Sequence, residues 1–149
     1  MRAVVQRTKH SRVSVNGVEK AHINEGLMVL LGIKRGDNPV AGEYLMDKLM
    51  NLRIFEDENG KMNRSVRDTK GEILMVSQFT LYGDARQGRR PSFTAAELPN
   101  NAQTLFDYCV EYIRAKGINI ETGVFGANMQ VNIENDGPCT ILLDSERLF

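Results

Sequence analysis

The first third of the chain alternates short hydrophobic stretches with polar turns, a pattern typical of β-strands. Residues 2–7 and 11–15 predict two strands, and the second alternates strictly between apolar and polar positions. Asn16-Gly17 follows and favours a two-residue hairpin turn, because both residues tolerate positive φ. The turn leads into a strand at 18–23. A continuous apolar run at 27–33 then predicts a strand in the centre of the sheet.

Two segments with hydrophobic residues at helical spacing predict helices. The first begins at Pro39 or Val40 and continues to about residue 50. The second ends at Lys116-Gly117, because glycine suits the left-handed residue that follows a helix. The candidate N-cap residues are Asn38 or Asp37 for the first helix and Asn100 or Asn101 for the second.

Later in the chain, short apolar or alternating stretches predict further strands. These strands are expected at residues 53–55, 73–81, 118–123, 129–134 and 140–143. The tail at 144–149 is expected to be partly frayed. Many strands, tight turns and two helices predict one mixed α and β domain over residues 1–149. Its sheet is expected to be largely antiparallel or mixed, with the helices on one side.

Composition fits an ordinary globular protein, with 42% hydrophobic and 26% charged residues. Two cysteines, Cys109 and Cys139, do not make a disulfide framework, and two histidines make a structural zinc site improbable. The longest apolar run, Leu27 to Leu31, could not span a membrane. We therefore expect a cytoplasmic protein without metal, cofactor or membrane association.

Charge gives two opposing indications about nucleic acids. The formal net charge is zero, with 19 basic and 19 acidic side chains, and a nucleic-acid binder usually carries a basic footprint. The stretch from Arg86 to Arg90 is locally basic and favours RNA contact. A solvated loop explains the same stretch, and composition leaves both interpretations open.

The familiar catalytic motifs are missing from the sequence. There is no GxSxG elbow, P-loop, GxGxxG or HExxH. His10 and His22 have no cysteine or serine neighbour at a known catalytic spacing. The carboxylates of Glu56-Asp57-Glu58 lie in a predicted turn, where solvation explains them better than acid–base work or metal binding.

Two segments carry the candidate chemistry. In the first, the buried strand becomes abruptly polar at Ser77-Gln78-Phe79-Thr80-Leu81. Backbone N–H groups at a strand end can lack a ladder partner, and converging N–H groups can stabilise an oxyanion. A strand that simply reaches water gives the same pattern.

The second segment is Asn135-Asp136-Gly137-Pro138-Cys139-Thr140, which separates two predicted strands. The plain interpretation is a β-turn. Proline has no N–H group, however, so a rigid Gly-Pro pair could act as a fixed steric wall with two carbonyl acceptors.

At these two segments the chain resembles the D-aminoacyl-tRNA deacylase family, which is marked by the motifs SQFTL and NxGP[VF]T. The resemblance covers essentially the whole chain. It departs at Cys139, where the family usually has valine or phenylalanine, and a cysteine is expected to pack as a small hydrophobe. Further matching blocks lie at residues 1–7, 51–57, 88–93 and 122–127.

The resemblance implies a barrel-like fold of α/β/β layers and a homodimer whose active site lies at the subunit interface. It implies that Gly137 and Pro138 reach from one subunit into the pocket of the other, where their carbonyls face the substrate and exclude an L side chain. It also implies that Arg7 and Met129 hold the Gly-Pro loop, and that Phe79 lines the aminoacyl-adenosine pocket. Ala102, near the start of the second helix, is implied to line the same pocket.

The activity implied is hydrolysis of the ester bond of D-aminoacyl-tRNA, with tolerance of glycyl-tRNA because glycine has no side chain to reject. The motif Ser77-Gln78-Phe79-Thr80 is the implied catalytic segment. Thr80 could be a nucleophile, but no base accompanies it in sequence. We favour a site that supplies orientation and N–H donors, with the 2′-hydroxyl of the terminal ribose helping to activate water.

Two other hypotheses remain open from the sequence. A non-catalytic RNA-binding module would explain the arginine loop and the missing triad. A structural dimerisation domain would make the Gly-Pro pair an ordinary turn with a trans Gly137–Pro138 bond that faces solvent.

Overall fold

The computed structural model describes residues 1–149 and shows eight strands, two α-helices and one short 3-10 helix. The strands are β1 (Arg2–Val15), β2 (Val18–Ile23), β3 (Gly26–Gly32), β4 (Phe55–Glu56), β5 (Met62–Arg64), β6 (Glu72–Ser77), β7 (Ile120–Thr122) and β8 (Gln130–Asp144). The helices are α1 (Pro39–Met50), α2 (Pro99–Ala115) and the 3-10 helix Phe79–Tyr82.

Strands β1 and β8 form the longest pairing of the molecule, and they run antiparallel to each other. On its other side β1 pairs with β3 through its first half and with β2 through its second half. The sequence predicted two strands where β1 lies, at 2–7 and 11–15, and two where β8 lies, at 129–134 and 140–143. Both predictions were wrong, because each segment forms one long strand. Strand β1 continues without a break because β-bulges near Thr8 absorb the change in its register with β8. The buried Thr8 hydroxyl lies 2.8 Å from Ser11 Oγ, 2.8 Å from the His10 carbonyl oxygen and 3.0 Å from the Glu134 carbonyl oxygen.

The second half of the sheet is parallel, in the order β3, β6 and β7. The continuous apolar run of β3 is buried as predicted, because this strand has a neighbour on each side. The prediction of a mixed sheet is confirmed. The sheet curls until β2 approaches β6 and β7, which gives the barrel-like shape. Its interior is filled by Val13, Ala21, Ile23, Met28, Leu74 and Val76.

A larger core lies between the outer face of the sheet and the two helices, which pack against each other. Helix α1 is capped as predicted, since the Asn38 side chain accepts the Ala41 N–H at 3.0 Å. The predicted caps of α2 were wrong. This helix begins at Pro99 after Leu98, which makes no side-chain cap, and the missing N–H of proline suits the first turn.

Three predicted strand boundaries also need correction. The strand expected at 73–81 ends at Ser77, after which the chain turns into the 3-10 helix. The strand expected at 53–55 is instead β4, which forms a small hairpin with the unpredicted β5. The strand expected at 118–123 shortens to the three residues of β7.

The tail at 144–149 is tied to the body of the protein rather than frayed. Arg2 Nε donates to the buried carboxylate of Asp144 at 2.9 Å. Lys34 forms an ion pair with Glu146 across the adjoining loop. Neither α-helix combines the length and hydrophobicity that a membrane-spanning helix requires.

Candidate active site

A cavity of about 590 Å³ opens beside the end of β6. Five segments of the chain enclose it: residues 33–35 after β3, the end of β6 with the following turn, the segment 93–97, the start of α2 and the segment 125–131. Eleven of its 18 lining residues are hydrophobic. A largely apolar cavity with a few polar groups is the usual form of a small-ligand site.

The polar end of β6 forms one wall of this cavity, through Ser77, Gln78 and Phe79. The Gln78 N–H donates to the Leu31 carbonyl at 2.8 Å and is the last bond of this strand to β3. The chain then enters the 3-10 helix. The first N–H groups of a helix have no partner within it, so the turn at Phe79 and Thr80 offers backbone donors.

Thr80 is exposed and stands just outside the cavity lining. Its hydroxyl oxygen accepts a hydrogen bond from the side-chain amide of Gln78. No histidine or carboxylate is hydrogen-bonded to this hydroxyl. The Thr80 side chain therefore has no general base in this protomer, and its hydroxyl stays a weak nucleophile.

Met129 lies at the inner end of the cavity, against the interior of the barrel. Its sulfur takes the space that a side chain at residue 123 would need. A Cβ built on Gly123 would lie 2.8 Å from Met129 Sδ and 3.1 Å from Val76 Cγ2. Glycine at residue 123 thus lets Met129 close this end of the cavity.

The first turn of α2 supplies another wall, through Leu98, Pro99 and Ala102. As expected from the sequence, Ala102 lies near the start of the helix, and its N–H donates to the Leu98 carbonyl at 2.9 Å. The positive end of the helix dipole is therefore directed to this side of the cavity, where it favours negative charge.

Two aromatic rings stand side by side at the cavity wall. Phe79 and Phe93 pack edge to face, with centroids 5.1 Å apart and an angle of 72° between their planes. The rings are 56% and 38% exposed, so both present apolar surface to solvent or to a ligand. Gly83 makes this packing possible, since a Cβ there would lie 2.9 Å from Phe93 Cε1.

The charged residues of the lining are Arg35 and Glu97. The N–H groups of Leu98 and Gly36 donate to the Glu97 carboxylate, at 2.8 and 3.3 Å. Hydrogen bonds from the Leu98 N–H, above all, hold the pKa of Glu97 below its usual range, with help from the nearby charge of Arg35. Glu97 is thus an ionised residue that orders the entrance to α2 rather than a proton donor.

The Gly137–Pro138 segment forms a projecting corner within β8, and both residues are exposed. Their peptide bond is cis, and not the trans bond that the dimerisation-domain hypothesis predicts. The Asn135 side chain closes the corner, because its oxygen accepts the Cys139 N–H and its nitrogen donates to Thr140 Oγ1, both at 3.1 Å. Gly137 has φ of 121°, which L side chains rarely adopt.

Arg7 lies buried beneath this corner. Its Nε lies 3.1 Å from Asp136 Oδ2, and its Nη1 donates to the Ile54 carbonyl at 2.6 Å. A Cβ on Gly137 would come within 3.1 Å of Arg7 Nη2. The arginine therefore ties the corner to the body of its own chain. Cys139 packs as a small hydrophobe in the main core, as predicted.

The structure thus divides the predicted site residues into two groups. Ser77, Gln78, Phe79, Ala102 and Met129 line one cavity, with Thr80 beside it. Gly137, Pro138 and Arg7 form the corner, and none of these three lines the cavity of the same protomer. Met129 belongs to the cavity and Arg7 to the corner, although the resemblance gave them one shared role.

Several lining residues were not singled out from the sequence. Phe93 and Phe125 lie in two of the blocks that matched the family, and this was the only signal that pointed to them. Ile33 and Arg35 come from the end of β3 and the loop after it, which the sequence presented only as a strand and a polar loop.

Comparison with known proteins settles the family. The model of the D-Tyr-tRNA(Tyr) deacylase family matches residues 4–144. This chain belongs to that family. A D-aminoacyl-tRNA deacylase of Syntrophomonas wolfei is 66% identical, and one of Thermosipho melanesiensis is 55% identical. Each of these alignments covers all of this chain and all of the relative.

Solved structures agree with the family's fold. A protein described as c-Myc DNA Unwinding Element Binding Protein has 42% identity and a TM-score of 0.92, over 97% of this chain and 98% of that one. A probable eukaryotic D-amino acid tRNA deacylase has a TM-score of 0.80 over 96% of this chain and 98% of its own. At 21% identity it supports the family fold alone.

Proposed function

We propose that this chain is a cytoplasmic hydrolase that cuts the ester bond of D-aminoacyl-tRNA and releases the free D-amino acid and tRNA. Family membership and the names of full-length relatives support this activity. The observation that carries the proposal is the cavity at the end of β6, where the SQFTL segment lies. The 3′-terminal adenosine with its aminoacyl ester is the ligand that we assign to it.

Selection between mirror-image substrates comes from the Gly137–Pro138 corner of a second copy. The corner is exposed, held by Asn135 and Arg7, and separate from the cavity of its own protomer. These features fit a steric element that acts in a homodimer on the partner's cavity. An L side chain would run into this wall, whereas a D side chain points away from it.

Rejection of this kind depends on the presence of a side chain, so glycyl-tRNA is also a substrate under this proposal. Selection by exclusion discriminates little among different D residues, because each of them points away from the wall.

Hydrolysis in this site rests on orientation and on backbone donors. The free N–H groups at the start of the 3-10 helix, at Phe79 and Thr80, stabilise the oxyanion of the tetrahedral intermediate. The 2′-hydroxyl of the terminal ribose helps to activate the attacking water. An aminoacyl ester is already activated, so the protein needs no nucleophile of its own.

The test is a deacylation assay with D-Tyr-tRNA and L-Tyr-tRNA, using the wild-type protein and Pro138→Ala. We expect the wild-type protein to release D-tyrosine at least about 100-fold faster than L-tyrosine. Removing the proline ring should raise the L rate and leave the D rate within about threefold. Equal D and L rates for the wild-type protein would contradict the proposed selectivity.

A non-catalytic nucleic-acid-binding module is the second candidate. The observation that favours it is the similarity to a solved protein described as binding a DNA unwinding element. The same assay separates the two functions, because a binding module binds tRNA without releasing either amino acid.

A further inference from the structure

The cavity has a projecting hairpin at its mouth. Asp84 and Ser92 exchange two backbone hydrogen bonds, of 2.8 and 2.9 Å, and so close a loop over residues 85–91. One stem of this hairpin follows Gly83 at the end of the 3-10 helix, and the other continues into Phe93 of the cavity wall. The base of the loop is therefore attached to the cavity wall on both sides.

The three arginines of this loop are not equivalent. Arg86 is neutralised within the hairpin, since its Nε and Nη2 donate to the two carboxylate oxygens of Asp84 at 2.9 and 2.7 Å. Arg89 and Arg90 are exposed, and no carboxylate lies within 4.0 Å of either guanidinium. The loop thus presents two unpaired positive charges in its second half.

Arg35, which lies outside the hairpin, is also part of the cavity wall. Its N–H donates to the carbonyl of Ala95, two residues after Phe93. Its Nε makes only a long bond of 3.4 Å to the Ala96 carbonyl. Arg35 forms no salt bridge with Glu97, the other charged residue of the lining, whose carboxylate accepts two backbone N–H groups.

We propose that Arg89 and Arg90, together with Arg35, form a phosphodiester-binding rim for the single-stranded 3′ end of an RNA whose terminal nucleotide occupies the cavity. This inference rests on the proposed function. A guanidinium matches the geometry of a phosphate, and the strand that leaves the cavity carries one negative charge for each nucleotide. Because the chain has no net charge, attraction to RNA has to come from such a local cluster.

The rim is tested with the double variant Arg89→Gln, Arg90→Gln. We expect the KM for D-Tyr-tRNA to rise roughly tenfold with kcat nearly unchanged, because phosphate contacts add uniform binding. The slope of log(kcat/KM) against log salt concentration should become shallower by roughly one to two. The D-tyrosyl ester of adenosine, which has no phosphate, should be hydrolysed equally well by the variant and the wild-type protein.

A control variant with the same change of charge is Lys61→Gln, Arg67→Gln. Both residues are exposed, and neither lines the cavity. We expect its KM and salt slope to match those of the wild-type protein. Equal effects in the control and the rim variant, or no effect in the rim variant, would overturn the proposal.

Failure of the rim and failure of the proposed function give different results. Binding of tRNA that carries no amino acid is measured for the wild-type, rim and control proteins. This measurement does not depend on hydrolysis. Weaker binding by the rim variant alone supports the rim, even if the wild-type protein releases no amino acid. Unchanged tRNA binding by the rim variant would contradict the proposed phosphodiester-binding rim, even if the wild-type protein is an active deacylase.

Discussion

At the scale of single residues, Gly83 sets the position of an aromatic ring in the cavity wall. The Phe93 ring fills the space beside this glycine and meets Phe79 edge to face. The backbone of Gly83 is in an extended conformation that any residue adopts. Contact with the ring, rather than backbone freedom, is therefore the reason for glycine here.

The variant Gly83→Ala tests this contact. Its methyl group would lie 2.9 Å from Phe93 Cε1 and 3.0 Å from the Thr80 carbonyl oxygen, so the ring or the 3-10 helix has to shift. We expect kcat/KM for D-Tyr-tRNA to fall about tenfold, because small displacements of a site are costly. Thermal unfolding serves as the control. A loss of activity that merely follows a lower Tm would contradict a positioning role.

The variant Thr80→Ala distinguishes the two mechanisms. The Thr80 hydroxyl accepts from Gln78 and has no base beside it, so its loss should change kcat for D-Tyr-tRNA by less than about threefold. Removal of a true nucleophile costs on the order of 10⁴-fold or more. Single-turnover kinetics measure the chemical step directly, and a loss of the larger size would restore the nucleophile model.

At the scale of elements, the hairpin at 84–92 is braced by a charged pair. The Arg86 side chain, which donates to the carboxylate, lowers the pKa of Asp84 to about 2. A carboxyl with a lowered pKa stabilises the folded form above its ordinary pKa and loses that contribution as the pH falls. The brace is therefore complete at neutral pH and is lost as the pH falls from about 4 towards 2.

The titration of Asp84 checks this brace. Carboxyl chemical shifts followed by NMR should give an Asp84 pKa near 2 in the wild-type protein. In Arg86→Gln the value should return towards that of an ordinary aspartate, about 3.9. Asp57 is a useful internal reference, since its pKa is lowered chiefly by backbone hydrogen bonds and should not respond to this substitution. An unchanged Asp84 titration in the variant would exclude the ion pair.

At the scale of the whole molecule, the cavity and the corner are separate features of one chain. The cavity lies where β6 ends, whereas the corner projects from β8 and rests on Arg7. A dimer in which each copy completes the other's site would bring the two features together. Neither copy alone would then sort its substrates.

Mixed dimers test whether the corner of one copy acts on the cavity of the other. One copy carries Pro138→Ala, and the other carries Ala102→Phe, which fills the cavity but keeps its corner. In the mixed dimer the only open cavity meets an intact corner, so L-Tyr-tRNA hydrolysis should fall at least about tenfold below that of the Pro138→Ala homodimer. The D rate of the open cavity should persist. L hydrolysis equal to that of the Pro138→Ala homodimer would show that the corner does not act across the interface.

The sequence predicted the structure correctly where a local pattern of residues is compatible with only one local structure. The apolar run of β3, the Asn38 cap and the Asn16-Gly17 turn were all predictable, because each depends on neighbouring residues. The polar change at Ser77 marked the strand end, although the strand was expected to continue to 81. The 3-10 helix that follows has only four residues, too few for a periodic pattern to predict it.

The remaining errors arise where distant residues decide the local structure. The segment around Gly137 reads as a turn between two strands, yet it stays in one strand because β1 pairs with both flanks and Arg7 supports the middle. Phe93 and Phe125 line the same cavity although 32 positions separate them in sequence. Nothing in either segment alone indicates that they lie close together.

The corner in β8 owes its shape to bonds made inside a single protomer. The Asn135 amide spans the bend from the inside, while the guanidinium of Arg7 anchors its base. The bonds that shape the corner are thus complete within one protomer, and in the proposed homodimer the corner would act without remodelling. Under the proposed function, mutations would therefore alter substrate selection and ester hydrolysis independently, because neither Gly137 nor Pro138 lines the cavity of its own protomer.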